Sequence, residues 1–105
     1  MLSCGNAIPP SPFTAAETDQ ALAPVHKIEA RCYSASQSAR DAQRVLLGFR
    51  LEIDASGRVQ AIPTQAEPRE PALIECVRLA LNELRFPAKG HDRVELDLQL
   101  GPPPS

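Results

Sequence analysis

Cys4, Cys32, Cys76, His26 and His91 are the side chains with which this 105-residue chain could bind a metal, form a covalent bond or move a proton. A structural zinc site needs four clustered ligands, but the cysteines show no CxxC spacing and neither histidine neighbours a cysteine, so no metal site is predicted. Cys32 and Cys76 fall within helical patterns. There they read either as small buried hydrophobes or as the halves of a disulfide. No Gly-x-Ser-x-Gly elbow is present, and His26 and His91 have no recognisable catalytic partner, so both read as solvent-facing. Glu52, Glu95 and Asp97 could be paired carboxylates. If the last strand lies beside the first, however, Arg50 can neutralise them across the sheet, which makes them a solvated face. No glycine-rich phosphate loop exists. The expectation is a protein that is not an enzyme and carries no cofactor.

Charge and composition narrow the partners. A net charge of -2 and a pI near 5.6, without a basic stripe, point away from nucleic acid. No apolar run approaches the ~20 residues that span a bilayer. Hydrophobic residues make up 43% of the chain and aromatics only 4%, with no Trp, so one modest core must be built from Leu, Val, Ile and Ala. A domain this small buries a low fraction of its surface, and a covalent staple would help it.

The elements that must position these residues follow from periodicity. Residues 1–16 read as a disordered, proline-rich tail, because Ile8-Pro9-Pro10-Ser11-Pro12 cannot hold a helix or a central strand. A first helix is predicted from Thr18 to Ala42, with Pro24 kinking it or marking its true start, and with Val25, Ile28, Cys32, Ala35 and Ala39 on one face. Val45, Leu47, Phe49, Leu51 and Ile53 alternate with Leu46, Gly48, Arg50 and Glu52, which is a half-buried strand. Asp54-Ala55-Ser56-Gly57 supplies a turn, and Arg58 to Ile62 return as a second strand whose pairing Pro63 ends at an edge position. Thr64 to Glu70 read as a loop. Pro71 suits the first position of a helix that carries Leu73, Cys76, Val77, Ala80, Leu81 and Leu84 on its apolar stripe. Val94, Leu96, Leu98 and Leu100 alternate with Glu95, Asp97 and Gln99 in a third strand, and Gly101 to Ser105 form a second proline-rich tail. The economical assembly is α+β: two helices on one face of a three-stranded antiparallel sheet, in the order helix-strand-strand-helix-strand, with the first strand central.

Leu51-Glu52-Ile53-Asp54-Ala55-Ser56-Gly57-Arg58-Val59 resembles the hairpin of TonB C-terminal domains. Arg31-Cys32-Tyr33 in the first helix, Cys76-Val77 in the second and Leu84-Arg85-Phe86-Pro87-Ala88 after it narrow the resemblance to the AgmX/PglI C-terminal branch, over roughly Val25 to Leu100. Residues 17–100 are the domain this resemblance implies. It also implies a periplasmic protein-interaction or adaptor module that binds a partner segment by strand addition at the last strand, Val94, Glu95, Leu96, Asp97, Leu98, Gln99 and Leu100. The family carries a cysteine at each of the two helical places, which implies a Cys32–Cys76 disulfide and an oxidising compartment. Domains of this family usually follow a transmembrane anchor and a linker. Neither occurs in this sequence, so the expectation is partner binding by this chain rather than force transmission.

Leu2-Ser3-Cys4-Gly5 resembles the end of a bacterial lipoprotein signal, in which the cysteine becomes lipidated. On that reading Cys4 is a lipid anchor and the chain an outer-membrane lipoprotein. An incidental tail thiol is the other reading. The alternative function is accordingly a structural cell-envelope lipoprotein with no dedicated peptide groove.

Overall fold

The computed structural model describes residues 11–102. Helices α1 (Ala15–Leu22), α2 (Val25–Ser34) and α3 (Gln37–Arg40) precede strands β1 (Val45–Ile53) and β2 (Val59–Glu67), helix α4 (Pro71–Leu81) and strand β3 (Asp92–Leu100). The sheet is antiparallel with order β2-β1-β3, so the central strand is the one with the strongest alternation. Val45, Leu47, Phe49, Leu51 and Ile53 are buried in one core with Val25, Ile28 and Cys32 of α2 and Leu73 and Val77 of α4. Burial of each such side chain contributes about 1.5–3 kcal/mol. The architecture is the α+β class read from the sequence. Among the described residues no helix is long and apolar enough to cross a membrane. Residues 1–10, with Cys4 and most of the first tail, and residues 103–105 lie outside the described part.

The predicted helix over Thr18–Ala42 is three helices, and chemistry explains both breaks. Pro24 has no N–H to continue the ladder, so α1 stops at Leu22, and the Pro24 carbonyl instead accepts from Lys27 and Ile28 at the start of α2. Ser36 adopts an extended backbone, and its hydroxyl accepts from Ala39 N–H at 3.1 Å to cap α3. Val25, Ile28 and Cys32 are buried as expected, whereas Ala35 is exposed. The tail boundary at residue 16 is also corrected. Phe13 is buried against Phe86, with ring centroids 5.0 Å apart, and Thr14 and Glu17 close a capping box on α1. Glu17 pairs with Lys89 Nζ at 2.7 Å, and this contact holds the Glu17 carboxyl below its ordinary range.

Strand β2 runs through Pro63 to Glu67 rather than ending before it. The register steps from Phe49 opposite Pro63 to Gly48 opposite Gln65, leaving Thr64 as the extra residue of a bulge. A bulge on an edge strand tolerates a proline. Gly48 makes room for it, since a Cβ there would meet Thr64 Oγ1 at 2.9 Å. The last turn predicted for α4 tightens after Leu81, where Glu83 N–H and Leu84 N–H reach only three residues back. Strand β3 begins two residues earlier than predicted, with Asp92 opposite Ile53.

Two long-range ties fix the helical layer. Cys32 and Cys76 are joined as a disulfide, with Cα atoms 5.7 Å apart, linking α2 to α4 across a sequence separation of 44. The Glu70 carboxylate accepts from Gln37 N–H, Ser38 N–H and the Ser38 hydroxyl at 2.7–3.0 Å, clamping α3 to the start of α4. The Ser38 hydroxyl, ahead of the two backbone donors, pulls the Glu70 carboxyl below its ordinary range. The buried Tyr33 hydroxyl donates to Gln43 O at 2.7 Å, which seats the chain for its turn into β1.

Candidate functional site at the sheet edge

A three-stranded sheet has two edges, and edges are where unpaired backbone groups invite another chain. The two edges of this sheet differ. On the β2 side, Asn82 Oδ1 accepts the Ala61 N–H at 2.7 Å, which occupies an edge donor with a side chain from the end of α4. Arg58 bridges to Arg85, and Phe86 N–H donates to Gly57 O at 3.0 Å, so the segment after α4 covers the start of β2. That close approach needs Gly57, whose φ is +89° and where a Cβ would lie 2.0 Å from Phe86 O. Farther along, Pro63 has no N–H to offer.

Among the described residues the β3 side carries none of these devices. All of Asp92–Leu100 pairs with β1, and among the described residues no hydrogen bond outside that ladder involves Val94–Leu100. Only the start of the strand is tied back, by a 2.5 Å bond from the Ser11 hydroxyl to Asp92. Leu98 and Leu100 are buried on the helix side. Val94 and Leu96 face the same way but are only half-buried, while Glu95, Asp97 and Gln99 are exposed on the opposite face.

Electrostatics on that open face depart from the neutralisation by Arg50 read from the sequence. Arg50 stands opposite Glu95 in the register, yet its Nε lies 2.9 Å from Glu52 of its own strand. The approach is out of line, so Arg50 Nε makes no hydrogen bond, and the contact is an ion pair only. Arg93 Nε donates to the same Glu52 oxygen at 2.9 Å. Both nearby cations therefore serve Glu52, because (i, i+2) on one strand and the directly opposed pair share a face. Glu95 and Asp97 have no ion-pair partner among the described residues.

The remaining predicted residues lie apart. His26 is exposed beside Glu29, with Nδ1 3.5 Å from its carboxylate. His91 lines an open cleft of about 740 Å³ at the hairpin end of the sheet, together with Glu52, Arg58 and Arg93. A second groove of about 370 Å³ runs between α2 and the end of α4, past Lys27, Arg31 and Arg85. Among the described residues no three His, Cys, Asp or Glu side chains gather to hold a metal ion. The closure of the β2 edge was not readable from the sequence. Pro63 signals an edge, but nothing local to Asn82 or Phe86 marks their pairing with a strand more than twenty residues earlier. No family model matches the chain, and no curated protein or solved structure matches it.

Proposed function

We propose that this chain is a protein-interaction module, used as TonB C-terminal domains are, that takes up an extended partner segment by strand addition along Val94–Leu100. The observation that carries the reading is the difference between the edges: one is covered by Asn82 and Arg85–Phe86 and interrupted by Pro63, while among the described residues nothing covers the other from Val94 to Leu100. A sheet that protects one edge with three separate devices, and on whose other, regular edge no described residue lies, fits a chain selected to be joined there. The Cys32–Cys76 bond supports an oxidising compartment, and with the family resemblance it supports the periplasm.

Backbone pairing sets the scale of binding. Roughly three or four residues of Val94–Leu100 turn both N–H and C=O outward, since antiparallel ladders alternate. At about 0.5–1.5 kcal/mol net per hydrogen bond, they contribute roughly 3–12 kcal/mol. Association costs an estimated 4–15 kcal/mol, so the backbone alone gives weak capture and side chains must supply the remainder. The test is peptide display against the full chain, followed by N-methylation of alternate amides in the selected peptides. Strand addition predicts that methylating one set of alternate amides abolishes binding and methylating the other set spares it. Equal tolerance of both sets would refute the reading.

A further inference from the structure

The structure assigns a chemistry to the partner strand: we propose that it alternates basic and apolar residues, with two cations spaced two residues apart to meet Glu95 and Asp97. This inference rests on strand addition at β3. Residues directly opposed across a new ladder have Cβ atoms about 4.5–5.5 Å apart, close enough for a lysine or arginine to reach a carboxylate. Glu95 and Asp97 lie on one face of β3 at a spacing of two, and no cation of the described chain pairs with either. Arg93 and Arg50, the cations nearest in the register, are both turned to Glu52.

The opposite face sets the intervening residues. Val94 and Leu96 point to the helix side but remain half-buried, unlike Leu98 and Leu100 farther along the strand. Apolar side chains on an added strand would lie beside them and remove that surface from water. Cation, apolar, cation, apolar is therefore the pattern that the two faces of β3 jointly complement.

The same carboxylates oppose a second copy of this chain. Full-length antiparallel self-pairing centred on Leu96 would set each Glu95 against Asp97 of the other copy, and directly opposed like charges destabilise a ladder. The acidic row thus selects a basic strand and discourages self-association through β3.

The experiment measures binding of labelled seven-residue peptides to the full, oxidised chain by fluorescence anisotropy. One peptide alternates lysine and valine, a second alternates glutamate and valine, and a third has the lysine–valine composition with like residues grouped. The lysine–valine alternant should bind about tenfold tighter than the other two, as two partly exposed charge pairs allow. The margin should shrink in ~0.5 M salt, where the screening length falls to a few ångströms. Glu95→Lys with Asp97→Lys should invert the preference, and the milder Glu95→Gln with Asp97→Asn should erase it. Backbone amide protection on binding should fall on Val94–Leu100. Equal binding of the lysine and glutamate alternants, with protection on β3, would overturn the charge selection and leave strand addition standing. Protection confined to the groove beside Lys27 and Arg31, or no protection anywhere, would overturn strand addition itself. Concentration-dependent dimers that pair β3 with β3 would overturn the proposed occupant.

Discussion

Replacing Cys32 and Cys76 with alanine, in a Cys4→Ala background so that only the bridge changes, should cost this domain a large part of its stability. The bond closes a loop with a sequence separation of 44. The chain-entropy relation gives about 13 cal/mol/K for a loop of that length, or about 4 kcal/mol at 25 °C. A domain of this size has roughly 5–15 kcal/mol in total. With a urea slope of about 1.5 kcal/mol/M, the midpoint should fall by ~2.5 M. The chain has no Trp and one Tyr, so far-ultraviolet circular dichroism is the probe of choice rather than fluorescence. Cys32 is almost fully buried, so alanine also removes packing there, and chemical reduction of the Cys4→Ala chain separates the two effects. Reduction breaks the tie and keeps both sulfurs, and should account for most of the loss. A midpoint shift below ~0.5 M on reduction would refute the argument that α2 and α4 depend on this link.

Two further substitutions probe the ties that shape the sheet and the helical layer. Gly57→Ala should destabilise by more than ~2 kcal/mol in urea denaturation, because it combines a left-handed backbone with a Cβ placed 2.0 Å from Phe86 O; an unchanged midpoint would show that the segment after α4 does not press on β2. Glu70→Gln should cost about 1 kcal/mol at neutral pH, the worth of a helix cap. The Glu70 carboxyl is held below its ordinary value in the folded chain, so its contribution is complete above the unfolded value of ~4.3 and is lost as pH falls through the folded one. The stability gap between the parent chain and the glutamine variant should therefore be constant near neutral pH and close as the pH falls below the unfolded value. A gap independent of pH would refute the clamp.

The sheet was legible in the sequence because its central strand is buried on one face only, which writes a period of two from Val45 to Ile53. The last strand carries the same signature through Leu100, and the register that places it beside β1 follows from short connections and one apolar face each. The pairing of Cys32 with Cys76 was legible only in part: their helices must cover the same side of the sheet, which lets the two meet, but the choice of a bond over two buried thiols leaned on the family resemblance. What stayed hidden was set by partners distant in sequence. Pro24 could kink or start a helix, and the residues before it find their place as a separate α1 through partners late in the chain, Phe13 on Phe86 and Glu17 on Lys89. Pro63 marked an edge but concealed a strand that continues past it, because a bulge opposite Gly48 absorbs the proline. Glu70 and Asn82 look like ordinary polar residues flanking a helix. Their backbone partners lie 21 to 33 residues earlier, where no local pattern points.

Residue-resolved amide hydrogen exchange, on the free chain and on the chain bound to a selected peptide, tests the central claim most directly. In the free chain the Ala61 amide should be protected through Asn82 Oδ1, and Asn82→Ala should release it. Alternate amides of Val94–Leu100 should exchange freely, because nothing among the described residues bonds to them outside the ladder with β1. Peptide binding should slow that free set and leave the β2 edge unchanged. Uniform protection of every β3 amide in the free chain, or new protection on β2 in its place, would contradict the account.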